Sequence, residues 1–377
     1  MPVYITSNQA VWLLFIFLTS SAIVNLPAPL ISFAGGGAWI SLMAGALAGM
    51  PLLFLLLWLN RRYPGKSLIQ CGQEALGLPV TMALGAAYLY YQLHIGAAVI
   101  LDVAMFMRSS MMRNTESYWF IFPLFAVAAI TVRTGIDKFA GLFPLLMGSV
   151  VAFTVVVAFF STSNFDFAHM LPIIPSGIRP IIHGSIFTFG LPFAEMSLFG
   201  MLLPFIGNPD KKLGRKMSVA IAGSTICLML STIVALLVFG PVAGDRKYSL
   251  YEVARTVEIT DVFQRIEALM AYCVIAAAFM KATIILFVAH QTCIHLLGRK
   301  EDTMLIYPLA FLMAVLSYTA LHEGEAHWVY LLTTTHMVWG IVCGVGPVLL
   351  IAAVAAVRKR KKASGSQEEP EAQTSPS

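Results

Sequence analysis

The chain has 377 residues, 58% of them hydrophobic and only 11% charged, with a formal net charge of +5 and a mean hydropathy of +0.81. A soluble domain usually carries about 25% charged residues, so a water-facing surface cannot be built from this composition, and no nucleic-acid partner is implied. The five cysteines (Cys71, Cys227, Cys273, Cys293, Cys343) are odd in number and widely spaced. They form no disulfide framework or zinc spacing and read as small core residues.

The first apolar run starts near Gln9 with no Lys or Arg before it. It therefore lacks the charged n-region of a signal peptide and reads as a first span. Apolar runs of span length continue along the chain, giving ten expected spans at about 9–33, 38–59, 80–107, 117–133, 140–161, 182–206, 214–240, 264–290, 303–321 and 328–356. The expected fold is all-α integral membrane, a single bundle over 1–357 with one repeat at about 9–161 and a second at about 182–356.

Placing the N-terminus in the cytoplasm puts sixteen of the 24 Lys and Arg residues on the cytoplasmic side and seven outside, with Lys281 inside the membrane. The positive-inside rule thus favours cytoplasmic N- and C-termini. Residues 358–377 read as a basic run, Arg358 to Lys362, facing anionic lipid, then a polar tail from Ala363 expected to be disordered. The turn Gly35 to Gly37 joins spans 1 and 2 and has no following Lys-Ser/Thr, so it is no phosphate loop. The polar stretch from Asp245 to Glu267 is expected on the outer surface as a lid, a short helix or a docking surface for a partner. His322 and His327 are five apart, not the i, i+4 pair of a zinc-protease helix. No metal or other cofactor is implied.

Two spans contain helix breakers: Asn25, Leu26, Pro27, Ala28 and Pro29 in span 1, and Gly190, Leu191 and Pro192 in span 6. Proline removes a backbone N–H and clashes with the preceding turn, exposing polar groups that hydrocarbon cannot satisfy. Such breaks persist where they line a cavity, although simple proline kinks would leave the same trace. Breaks at the first positions of two five-span halves form the pattern of an inverted-repeat transporter with a midplane site.

Several stretches, taken in order, resemble the GerAB-type spore germination permeases, the B subunits of germinant receptors within the amino acid–polyamine–organocation superfamily. They are Ile5-Thr6-Ser7-Asn8-Gln9, Leu26-Pro27, Ala38-Trp39-Ile40, Tyr63-Pro64-Gly65-Lys66-Ser67-Leu68, Pro192-Phe193-Ala194-Glu195-Met196, Leu203-Pro204 and Arg265-Ile266-Glu267. The resemblance implies a LeuT-like 5+5 inverted repeat with broken spans 1 and 6. It also implies an inner spore membrane or cell membrane location, A-type and C-type receptor subunits as partners, and sensing of a small nutrient, typically an amino acid. Ser20, Ser21 and Ala22 stand where the superfamily has a Gly-x-Gly-type break, which would crowd a backbone clamp for a carboxylate.

Lys281 lies about 13 Å from the end of span 8, too deep for easy snorkelling, and an intramembrane lysine costs about 3 kcal/mol unless it faces a cavity or partner. From the resemblance it is expected at the cation position against span 1 carbonyls, as a cation-site substitute or proton-linked group; a structural bridge between helices is the other reading. Glu195 follows the span 6 break, where it could bind a substrate amine, carry a proton or cap freed N–H groups. Tyr91 and Asp102 on span 3 fall about 20° apart on a helical wheel. Tyr91 is a substrate contact or a packing residue. Thr188, Phe189 and Gly190 at the span 6 break, and Asn25 at the span 1 break, complete the candidate ligand-binding set with Ser20, Ser21 and Ala22. Two functions fit these residues: a sensor whose bundle shifts on binding, and a proton-coupled amino-acid permease. An embedded enzyme would need a nucleophile and base or a metal cluster, and the sequence offers neither.

Overall fold

The structure is a computed structural model describing residues 4–173, 177–256, 266–299, 302–322 and 324–365. The segment 257–265, with Arg265 of the sequence motif and the end of the expected lid, lies outside the described residues, as does 366–377 of the tail. The final helix runs Gly346–Gly365, so it carries the basic run and the first residues of the expected tail.

Among the described residues nine helical stretches are long and apolar enough to cross a membrane, and Tyr118–Thr134 is a shorter apolar helix. Within the described residues each of the ten expected spans falls mainly on helix. Spans 1 and 2 are joined through Gly35–Gly37, where Gly35 takes a φ of 52° that few other residues tolerate. Helix starts are locally encoded: Thr6 and Gln9 form a reciprocal capping box before Ser7–Thr19, and Ser67 and Gln70 form another before the short helix Leu68–Leu76.

Burial separates the inner helices from the outer ones. In the apolar windows of Ser7–Asn25, Leu78–Met111, Arg179–Met201 and Ala268–Leu297, 61, 78, 72 and 83% of residues are buried. In Ile136–Asn164 and Thr303–Leu321 the share is 33%. Spans 1, 3, 6 and 8 therefore form the centre, and spans 5 and 9 present apolar side chains such as Leu145 and Phe311 outward, as lipid contact requires.

At one end the bundle is fastened by the chain's first described residues. Ile5 donates its N–H to the Phe205 carbonyl at 2.8 Å and accepts from Gly207 at 3.1 Å, making a parallel bridge between Ile5 and Ile206. Lys216 bonds both Asp210 (2.9 Å) and Asn8 (3.0 Å), and Ser7 Oγ accepts from Asp210 N–H. This latch ties the start of span 1 to the end of span 6. In the stretch expected as a lid, the helix Ser249–Thr256 packs back on the bundle: Tyr248 and Tyr251 meet Phe106 edge-on at 5.0 and 5.1 Å.

Candidate functional site

The two central breaks are both present. Span 1 runs as helix from Ser7 to Thr19, loses helical order at Ser20 (ψ −80°) and Ser21, makes one turn over Ala22–Asn25, bends at Leu26 and restarts at Pro27. The interruption thus begins at the serines, about two turns before the prolines. Span 6 runs from Arg179 to Thr188, and Leu191 (φ −139°, ψ 110°) leaves the helical region before the tighter helix Ala194–Met201 begins. A proline at 192 has no N–H to give the preceding turn, which accounts for the break at this point.

Glu195 sits in the first turn of that second half-helix, where aligned N–H groups favour a negative charge. Its side chain is fully buried, and so is that of Lys281, whose Nζ lies 2.6 Å from Glu195 Oε2. The same ammonium lies 5.3 Å from the centre of the Phe17 ring on span 1, within cation–π range. Glu195 Oε1 is 3.3 Å from His336 Nε2, buried on the last span. Lys281 was expected against span 1 carbonyls or as a structural bridge between helices; its ammonium pairs with the carboxylate of span 6. A lone charge here would carry the full desolvation penalty, and the pairing, with His336 as a third partner, offsets part of it.

Tyr91 is buried beside this group, its ring 6.3 Å from His336, while Tyr88 Oη donates to the Ser197 carbonyl at 2.9 Å. Tyr91 Oη and Ser20 Oγ are buried with no hydrogen-bond partner among the described residues. Spans 3, 6 and 10 meet tightly here: a Cβ on Gly340 would stand 3.0 Å from Tyr91 Oη and 3.2 Å from the Gly190 carbonyl, and one on Gly190 would stand 2.6 Å from Met337. Thr188 Oγ1 is within 3.0 Å of the Ser41 and Gly184 carbonyls, so its hydroxyl clamps span 6 to span 2. Phe189 is half-buried at the same bend, and Ala22 is buried.

Asn25 and Asp102 belong to a second cluster. Asp102 accepts from Asn25 Nδ2 through one oxygen and from Trp328 Nε1 through the other, both at 3.0 Å. These groups line a cavity of about 360 Å³ together with Phe33, Lys247 and Tyr248. Tyr91 and Asp102 share a helical face, yet they serve different surroundings a few turns apart. His336, Trp328 and Lys247 were missed as site residues. His336 comes 141 positions after Glu195, and a histidine in an apolar run carries no local mark of its partner.

Two interrupted helices crossing in the middle of an all-helical bundle, with a buried ion pair at the crossing, define a LeuT-like membrane protein of transporter type. The chain resembles the structure of MhsT in complex with L-phenylalanine, with a TM-score of 0.61 and 14% identity over 95% of this chain and 89% of that one. A family model described as spore germination protein matches residues 4–323, and the chain belongs to that family. Among its relatives are spore germination protein KB of Bacillus subtilis (strain 168), 24% identical over 86% of this chain and 87% of that protein, and spore germination protein YndE of the same organism, 21% identical over 92% and 95%. Spore germination protein XB of Bacillus anthracis is 22% identical over 83% of this chain and 88% of its own length.

Proposed function

We propose that this chain is the membrane subunit of a spore nutrient-germinant receptor. It binds a small nutrient, an amino acid by preference, at the crossing of spans 1, 3, 6 and 8, and passes the resulting change to A-type and C-type partner subunits. Its place is the inner spore membrane or the cell membrane, with both termini cytoplasmic. The observation that supports this best is the pairing of charge and broken backbone: Glu195, just past the span 6 break, pairs with Lys281 near Tyr91, and the hydroxyls of Tyr91 and of Ser20 at the span 1 break have no hydrogen-bond partner among the described residues. A ligand with polar ends can engage those hydroxyls and the freed backbone, and it favours whichever bundle arrangement leaves them reachable.

Signalling then follows from differential affinity. A ligand shifts the bundle only as far as it binds one arrangement more tightly than the other, and moving a population from 1:99 to 99:1 takes about 5.5 kcal/mol of difference. The test is germination of spores carrying Glu195→Gln or Lys281→Met, scored against a panel of amino acids, alongside radiolabelled uptake into proteoliposomes of the purified chain. Loss or altered nutrient preference without uptake supports the receptor. Saturable, substrate-specific accumulation would replace it with a proton-coupled permease, and normal germination of both variants on every nutrient would remove the receptor reading.

A further inference from the structure

The central ion pair continues sideways into span 10. His336 lies with Nε2 3.3 Å from Glu195 Oε1, and its other ring nitrogen, Nδ1, is buried with no hydrogen-bond partner among the described residues. An ionised carboxylate only accepts hydrogen bonds, so Nε2 carries the proton of the neutral ring and Nδ1 is left as a bare lone pair. Buried polar atoms are almost always satisfied, and a second histidine stands beside this one. The rings of His336 and His94 are 5.6 Å apart, centre to centre, at an interplanar angle of 38°. At that separation a proton can pass between them directly or through a single bridging water.

His94 in turn lines a cavity of about 240 Å³ between spans 3, 9 and 10, where Tyr90, Ser317 and Thr319 supply further polar groups. Tyr90 and Thr319 are exposed, whereas Glu195 and Lys281 are fully buried. The cavity is roomy enough for several waters of about 30 Å³ each. It shares Trp328 with the cavity around Asp102, and the two have no other wall in common. Carboxylate, imidazole, imidazole and a polar cavity thus follow one another from the buried pair to the edge of the bundle.

We propose that His94 and His336 form a proton relay between this cavity and the Glu195–Lys281 pair. A proton taken from cavity water by one nitrogen of His94 releases the proton on its other nitrogen to Nδ1 of His336. His336 becomes an imidazolium whose Nε2–H stays on Glu195, and His94 is neutral again; one positive charge has moved inward and no other bond has changed. The cluster of Lys281, Glu195 and His336 then passes from neutral to a single net positive charge, with two cations sharing one carboxylate. Burial penalises the added charge, so the bundle arrangement that admits water to the cluster gains. The other titratable groups around the two rings are Tyr91 and Asp102 on span 3 and Cys343 on span 10, with Lys247 acting on Asp102. Among all these side-chain types only imidazole ordinarily changes charge between about pH 5 and 8. The relay goes beyond nutrient binding and is independent of which nutrient the chain takes.

The test uses the full chain in nanodiscs, isotopically labelled at the histidine nitrogens, with the two signals assigned from His336→Gln and His94→Gln. Nuclear magnetic resonance reports ring charge and tautomer between about pH 8 and 5, together with exchange of the His336 ring proton with water. His336 is expected as the neutral Nε2–H tautomer at the upper end and as imidazolium at the lower. His94→Ala is expected to slow the exchange by roughly tenfold or more, and imidazole added to the solution to restore it. Ala320→Phe narrows the cavity and keeps His94; it is expected to slow the exchange as well, and it carries the test if His94→Ala folds poorly. Slowing in His94→Ala that imidazole does not reverse would mark a merely structural histidine and overturn the relay. So would a His336 that stays uncharged throughout, a neutral ring protonated on Nδ1, or exchange in both variants as fast as in the parent.

Discussion

Replacing Lys281 by Met removes the positive half of a pair whose members are 1% and 0% exposed and 2.6 Å apart. Methionine fills nearly the same space, so the loss is electrostatic: Glu195 keeps His336 at 3.3 Å and loses its counter-charge. Breaking a buried pair from one side costs about 3–5 kcal/mol, whereas exchanging both partners for apolar groups of similar volume is close to neutral. The single variant Lys281→Met should therefore lose about 3 kcal/mol or more, and the double variant Lys281→Met/Glu195→Leu should recover to within about 1 kcal/mol of the parent. At about 2–4 °C per kcal/mol for a domain of 150–250 residues, the single change lowers the melting temperature by roughly 10 °C. The assay is thermal unfolding of the purified chain in nanodiscs, with all four members of the cycle prepared alike. A single variant within about 1 kcal/mol of the parent, or a double variant no better than the single, would show that the pair does not hold the two helices as argued.

Gly45→Ala would drive a methyl group into the Thr188 hydroxyl and bring it to 3.0 Å from the Phe189 N–H, so a loss of about 1–3 kcal/mol is expected, seen as a lower melting temperature and partly recovered by adding Thr188→Ala. The Cys71 thiol, on the short helix Leu68–Leu76 outside the spans, is pushed up to about 12 by burial and then by the charge of Glu74. Since the thiolate is the reactive form, maleimide should leave Cys71 unmodified in the folded protein at pH 8 and label it on unfolding; rapid native labelling would contradict this. In the latch, the hydrogen bond from Lys216 holds the Asp210 carboxyl below its ordinary range. That contribution is complete at neutral pH and is lost only as the pH falls through the lowered value, below about 4. Asp210→Asn should accordingly speed amide exchange at Ile5 and Gly207 already at pH 7, and equal rates in both proteins would refute the coupling.

How much of this was legible in the chain depended on whether the cause was local. Pro192 announces the span 6 break because a missing N–H acts on its own turn. In span 1 the prolines mark the restart at Pro27, while the loss of helical order starts at Ser20, which the family resemblance had placed and the proline pattern alone had not. Lys281 and Glu195 stood out as charges in apolar runs, but their partnership joins positions 86 residues apart on two helices. Nothing in either neighbourhood encodes that. Asp102 was legible as lying on the Tyr91 face, whereas its bonds to Asn25 and Trp328 arise only once spans 1, 3 and 10 are packed. Thr188 shows the opposite outcome: a hydroxyl at a break looks available from sequence, and in the fold it is engaged by backbone of span 2 and of its own helix.

The pairing of Glu195 with Lys281 also has an electrical consequence. A single elementary charge moved across the whole bilayer exchanges about 2.3 kcal/mol with a membrane potential of 100 mV. Opposite charges 2.6 Å apart that travel together exchange almost none. A rearrangement of the bundle that carries the two as a unit therefore draws almost nothing from the transmembrane voltage through this pair. Lys281→Met would convert that silent dipole into a lone carboxylate, and with it turn the same motion into one that an applied voltage can drive.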